Sequence, residues 1–405
     1  MELKDRLIKY VKIDTQSDPN SETIPSTKKQ FDLAKLLQEE LISMGVSDVI
    51  LDEHCYVYGT IPSNIDKDVF SVGFIAHMDT SPDYSGKDVN PILISNYDGK
   101  DIELNSEMTL KVSDFPQFKN YIGNDILVSD GTTLLGADDK AGIAAIMHAA
   151  KYLLDNPDIP HGKIKIGFTP DEEIGRGAEL FDIKGFGCDF AYTLDGDEVN
   201  IIADENFNAA SAIVNIYGTS IHPGSSKNKM VNAINLAMEF HSYLPSFKRP
   251  EHTEKREGFN HITEIEGDVS NTKLSYIIRN HDKELFMKQI ELFKEIEEFM
   301  NKKYGSKRVS VEIKENYENM YEILKDKPEV IDFAKLAIND IGLEYKMESI
   351  RGGTDGARLT FDGLPCPNLG TGGGNFHGPY EYCNLTQLDQ AVKVILNIVR
   401  RVGEA

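Results

Sequence analysis

Residues 69–83 read VFSVGFIAHMDTSPD. The first eight are almost continuously apolar, the pattern of a strand buried on both faces of a sheet. The run ends at His77, and Asp79 follows two positions later, so on an extended segment both side chains point the same way. Similar runs recur along the chain. KIKIGFT (163–169) leads into the pair Glu172 and Glu173, and FAYTL (190–194) leads into Asp195. Helical patterns lie between them. KAGIAAIMHAAKYLLDN (140–156) is rich in Ala and Leu. TKKQFDLAKLLQEELISM (27–44) places Phe31, Ala34, Leu37, Leu41 and Met44 at helical spacing, with Gly45 as a C-cap. Strands alternating with helices predict an α/β fold, a mixed twisted sheet flanked by helices.

The pattern changes near Asn206. SAIVNIY (211–217) reads as a strand, MVNAINLAMEFHSYL (230–244) as a helix, and HITEIEGDV (261–269) and KLSYIIR (273–279) as two strands. KELFMKQIELFKEIEEFM (283–300) is an amphipathic helix with Phe286, Ile290, Phe293 and Met300 on one face, and RVSVEIK (308–314) is a closing strand. This β-α-β-β-α-β order is that of an α+β ferredoxin-like sandwich. The reading is therefore a discontinuous catalytic domain, 1–206 and 318–405, interrupted by an inserted domain, 207–317. The helix EVIDFAKLAINDIG (329–342), the glycine-rich RGGTDGA (351–357) and TGGGNFHG (371–378), and the helix LDQAVKVILNIVRRV (388–402) belong to the resumed first domain. That return lets His377 join the other candidate residues. The glycines at 372–374 are expected to add freedom to the loop that carries it.

Composition narrows the function. The chain has 405 residues, 40% of them hydrophobic, which suits two domains with sizeable cores. Its formal net charge of -23 argues against nucleic acid or an anionic membrane surface as a partner. No apolar run is long enough for a transmembrane helix, and the N-terminal residues lack the pattern of a secretory signal. Cys55, Cys188, Cys366 and Cys383 lie far apart without CxxC spacing, as unpaired thiols in a reducing compartment do. A cytoplasmic protein is expected.

The strand-end residues carry the chemistry. Asp79 is placed to accept a hydrogen bond from the His77 ring nitrogen that faces away from a metal, fixing the tautomer. In LLGADDKAG (134–142) a carboxylate at Asp138 or Asp139 has two oxygens and can bridge two cations. Of Glu172 and Glu173, one can hold a metal while the other holds a water and takes its proton. Each residue alone has an ordinary explanation: a core histidine, a helix-capping aspartate, an acidic loop, a turn aspartate, an exposed loop histidine. Two imidazoles and several carboxylates together make a mixed N/O site suited to two Zn2+ ions, with Mn2+ or Co2+ as substitutes, about 3.5–4 Å apart.

FIAHMDTSPD, LLGADDKAG, FTPDEEIG, YTLDG, SIHPG, RGGTDGA and TGGGNFHG occur in that order. This set resembles the dizinc metallopeptidases related to carboxypeptidase G2 and succinyl-diaminopimelate desuccinylase, and within them the aminopeptidases that act on tripeptides. The resemblance runs essentially end to end. It implies that His77 and Asp195 serve one zinc and Glu173 and His377 the other, with Asp138 bridging. It implies that Asp79 orients His77 and that Glu172 is the general base. It implies that His222 in SIHPG helps stabilise the oxyanion and that Arg279 in YIIRN meets a substrate carboxylate. Arg351 and Thr354 in RGGTDGA are expected to contact substrate, and the inserted domain to act as a lid and to form a homodimer.

The expected activity is removal of the N-terminal residue from short peptides, preferentially tripeptides. A carboxypeptidase or N-acyl amino-acid deacylase on the same scaffold is the rival enzyme. A catalytically silent dimer that binds peptides or metal is a third reading, disfavoured by the intact Glu172.

Overall fold

The computed structural model describes residues 1–405. Its contacts divide the chain into two compact units: Met1–Asp204 with Met320–Glu348 and Thr354–Ala405, and Glu205–Asn319 with Ser349–Gly353.

The first unit is organised by an eight-stranded sheet. Its spatial order is Ser47–Leu51, Val57–Ile61, Ile164–Thr169, Val72–His77, Phe190–Gly196, Asn368–Gly370, Ile201–Glu205, Lys346–Ser349. The central pairings are parallel: Val72–His77 pairs with Ile164–Thr169 on one side and Phe190–Gly196 on the other, and the latter pairs with Asn368–Gly370. The pairings of Ser47–Leu51 with Val57–Ile61, Val57–Ile61 with Ile164–Thr169 and Ile201–Glu205 with Asn368–Gly370 are antiparallel. The sheet is therefore mixed. Val72–His77 is buried along its whole length, as its unbroken apolar sequence requires. One core joins its Val72, Phe74 and Ala76 to the helices Leu3–Val11, Gln30–Met44, Ala137–Asp155, Pro328–Asp340 and Leu385–Glu404. A second, aromatic-rich cluster includes Tyr56, Tyr58, Ile75, Phe181 and Phe186.

Close approach sets the position of the Ala137–Asp155 helix. A Cβ added at Gly142 would overlap the carbonyl oxygen of Leu194. Only glycine lets this helix lie against the strand that carries Asp195. A small four-stranded sheet completes the unit, joining Gly373–Gly374, Tyr382–Asn384, Ile126–Ser129 and Pro91–Ile94 in that order. The glycines at 372–374 are packing requirements here, not sources of looseness. Gly372 has φ 90°, a Cβ there would sit 2.6 Å from Gln387 Cβ, and a Cβ on Gly374 would meet the Tyr382 hydroxyl.

The second unit has the chain order β-α-β-β-α-β and a four-stranded antiparallel sheet ordered Phe259–Gly267, Asn271–Asn280, Asn208–Tyr217, Val309–Tyr317. That is the ferredoxin-like arrangement. The helices Ala233–Tyr243 and Lys283–Tyr304 pack on it through Leu236, Phe240, Phe286, Phe293 and Met300. The sequence reading gave Ser349–Gly353 to the catalytic domain, whereas the contacts place it in this second unit. Ile350 donates its backbone N–H to the Glu205 carbonyl (2.8 Å), and the Arg351 guanidinium stacks over Phe207 and Phe259.

Candidate active site

The parallel strands deliver their last residues to one edge of the sheet, where α/β proteins bind ligands. His77 ends its strand, Glu172 and Glu173 follow Thr169 in a short helical turn, and Asp195 lies near the end of Phe190–Gly196. Asp138 comes from the first turn of the Ala137–Asp155 helix, and His377 from the loop after Gly373–Gly374, with φ 64°.

These side chains converge. His77 Nε2 is 2.8 Å from Asp138 Oδ1 and 3.6 Å from Asp195 Oδ1. His377 Nε2 is 3.3 Å from Asp138 Oδ2 and 2.9 Å from Glu173 Oε2. Asp138 thus uses one oxygen for each imidazole, while Asp139 turns away to accept the backbone N–H groups of His77 and Gly142. Glu173 Oε1 is buried with no hydrogen-bond partner. Candidate ligand atoms of His77, Glu172 and Asp195 lie within 4.8 Å of one another, as do those of His77, Asp138 and Glu173. Glu172, expected to be the base, therefore stands among the candidate ligands themselves.

Asp79 does more than face His77. Its Oδ1 is 3.4 Å from His77 Nδ1, and its carboxylate accepts the backbone N–H of Glu172 (3.0 Å) and of Glu173 (3.2 Å). It ties the histidine to the two-glutamate turn. On the other side of that turn, Asp171 (φ 56°) accepts hydrogen bonds from the Ser26 backbone (2.6 Å) and from Gln30 Nε2 (2.6 Å).

The electrostatics are those of crowded anions. Burial and the charge of Asp138 push Glu173 up to about 7, against the pull of His377. Burial pushes Asp195 up to about 6, with His77 opposing. Burial and the charge of Asp195 raise Glu172 well above the ordinary carboxylate range. Hydrogen bonds to Asp138 and Glu173 lift His377 to about 11. Buried carboxylates in this number are costly unless cations accompany them. Two divalent ions would supply that charge, and the imidazole and carboxylate donors suit them.

Thr354 also lies in the first unit, where it N-caps the Asp355–Phe361 helix and its hydroxyl meets Asn368. His222, Arg279 and Arg351 belong to the second unit. His222 Nδ1 accepts the Gly224 N–H (3.2 Å). Arg279 stacks over Tyr317 and donates to the Ala210 and Ile278 carbonyls. The Arg351 guanidinium donates to the Lys255 and Glu257 carbonyls and to the Thr253 hydroxyl.

Sequence reasoning missed Glu381, Lys140, Asp171 and Asp355. Glu381 accepts backbone N–H groups from the turn before Asp138. Buried Lys140 donates to the Ile13 carbonyl (2.7 Å). Asp355 is buried with Oδ2 unpartnered, and burial pushes it up to about 7. For Lys140, Asp171 and Asp355 the only sequence signal is a charged residue inside a motif already singled out, and Glu381 lies just beyond TGGGNFHG. An open cleft of about 370 Å³, lined by residues including Asp197, Lys346, Glu348 and Asn375, opens beside the stretches that carry Asp195 and His377.

A parallel-centred sheet with this imidazole and carboxylate edge defines a metal-dependent hydrolase. Comparison with known proteins places it further. The profile of Peptidase family M20/M25/M40 matches residues 130–401. The chain is 52% identical over 398 residues to peptidase T of Alkaliphilus oremlandii, covering 97% of each. It is 53% identical over 400 residues to peptidase T of Clostridium perfringens, covering 99% of this chain and 98% of the relative. The crystal structure of aminopeptidase PepT from Bacillus cereus superposes with a TM-score of 0.78 at 26% identity, covering 99% of this chain and 98% of that one. The chain belongs to Peptidase family M20/M25/M40, in the branch whose curated members are named peptidase T.

Proposed function

We propose that this peptidase is a two-metal aminopeptidase that releases the N-terminal residue of short peptides, tripeptides above all. The observation that carries the reading is Asp138, whose two oxygens face His77 and His377 while Glu173 keeps a buried oxygen without a partner. His77 and Asp195 would hold one cation, Glu173 and His377 the other, and Asp138 both. Zinc suits the donors, with manganese or cobalt as substitutes. When bound, the ions supply Lewis acidity at the scissile carbonyl and lower the pKa of the attacking water.

The protein's own residues do the rest. Asp79 fixes the His77 ring and the backbone of the Glu172–Glu173 turn together. Glu172 takes the proton from water as its oxygen attacks the carbonyl carbon, then gives a proton to the departing amine as the C–N bond breaks. His222 is proposed to donate to the oxyanion, and Arg279, oriented by Tyr317, to pair with the C-terminal carboxylate of the peptide. Recognition of both ends would set the length limit.

The proposed setting is the cytoplasm, with the second unit as lid and as the contact of a homodimer. The four cysteines are free, and no helix is long and apolar enough to cross a membrane. Leu-Gly-Gly against N-acetyl-Leu-Gly-Gly tests the reading. An aminopeptidase cleaves the first and ignores the second. Faster hydrolysis of the acetylated peptide would make the enzyme a deacylase.

A further inference from the structure

We infer that Glu381 is a positioning residue of the metal centre, holding the backbone of the turn Leu135–Asp138 so that the Asp138 carboxylate is presented to the metals. The inference rests on the reading of Asp138 as a ligand. Short polar side chains at a helix start ordinarily satisfy its exposed N–H groups. Here Asp139 does so: the backbone at Asp138 and Asp139 is non-helical and the Asp139 carboxylate accepts the Gly142 N–H (3.2 Å), while the Asp138 carboxylate is turned toward His77 and His377. The N–H groups of the turn that leads into Asp138 are taken by Glu381, from 246 residues away. Its Oε2 accepts the N–H of Leu135 (2.7 Å) and of Gly136 (2.8 Å), and its Oε1 that of Asp138 itself (3.0 Å). The residue is 1% exposed, so these bonds are made away from bulk water.

The same carboxylate fixes the other side of the site. Glu381 is four residues beyond His377, its own N–H closes a turn onto the Gly378 carbonyl (3.2 Å), and Tyr382 enters the small sheet opposite Val128. The bonds through Glu381 therefore hold the Asp138 turn and the His377 loop in one register. Asp79 links His77 to the glutamate turn in the same way, and Asp139 links the Asp138 segment to the backbone of His77.

The test is metal affinity, measured by chelator competition on the full-length apo-protein, in Glu381→Gln and Glu381→Asp. Glutamine keeps one accepting oxygen and sets an NH2 against the remaining N–H. Aspartate keeps the charge but falls one methylene short. Both variants are expected to bind Zn2+ about 10–100-fold more weakly, the usual consequence of removing a group that orients a ligand. The visible bands of the Co2+-loaded variants should shift, a change in the metal's surroundings that a loss of stability alone does not produce. Using two variants keeps the test available if one fails to fold. His377→Ala is the reference. Wild-type affinity and spectrum in a folded Glu381 variant, with loss in His377→Ala, would overturn the inference. Wild-type affinity in both would overturn the ligand reading beneath it.

Discussion

Replacing Glu172 by Gln separates the two roles its position allows. Its carboxylate lies within 4.8 Å of candidate ligand atoms of His77 and Asp195, yet the reading makes it the base. The substitution is isosteric, and the turn itself is held by backbone bonds to Asp79 that glutamine leaves intact. The perturbation therefore falls on proton transfer. Removing a positioned general base costs about 10²–10⁴-fold, which is about 2.7–5.4 kcal/mol in the barrier. The assay is leucine release from Leu-Gly-Gly by zinc-loaded enzyme, with metal content measured on the same samples. The expected result is a fall in kcat of that size, KM nearly unchanged, and full metal content. A kcat within tenfold of wild type would refute the base assignment. A variant that loses one metal together with its activity would make Glu172 a ligand.

The other expectations concern separate links of the account. His377→Ala removes a donor shared with Asp138 and Glu173, so metal content and activity should fall together, and unchanged zinc stoichiometry would remove His377 from the ligands. His222→Ala should lower kcat by about 100-fold or more with metal retained, as loss of an oxyanion donor does; full activity would dismiss that role. Gly142→Ala drives a Cβ into the Leu194 carbonyl and should destabilise the fold by about 1–3 kcal/mol, read as a lower urea midpoint. Glu40 gives a pH test. Burial alone would raise its carboxyl, but hydrogen bonds from Lys9 and Tyr10 and the Arg6 charge outweigh burial and lower it. A depressed folded-state pKa contributes stability above the unfolded value, about 4.3, and loses it as pH falls through the folded value. Glu40→Gln should therefore melt below wild type at pH 7, with the gap closing as pH drops below about 4. A gap that stays constant down to pH 3 would contradict this.

The sheet was legible because its central strands are buried on both faces, which leaves unbroken apolar runs such as 69–76. The ferredoxin-like order was legible because its helix Lys283–Tyr304 is long and strongly patterned. The small sheet was not, since strands such as Gly373–Gly374 and Tyr382–Asn384 are too short to show a period, and the second of them pairs with the distant Ile126–Ser129. The same distance hid Glu381, whose partners Leu135, Gly136 and Asp138 lie in another motif. Asp138 itself shows the limit of local reasoning. Alone it reads as a helix cap, and only the fold reveals that its neighbour Asp139 caps the helix by accepting the Gly142 N–H. The surroundings of Arg351 were hidden for a related reason, because nothing near RGGTDGA announces its bonds to Thr253, Lys255 and Glu257.

The central claim is a metal-dependent aminopeptidase selective for tripeptides. The direct measurement is free leucine released from Leu-Gly, Leu-Gly-Gly and Leu-Gly-Gly-Gly, with and without a chelator. Fast release from the tripeptide alone, abolished by the chelator and restored by zinc, is the predicted result. Equal release from all three peptides would contradict the length selectivity, and release that persists in the chelator would contradict the two-metal site.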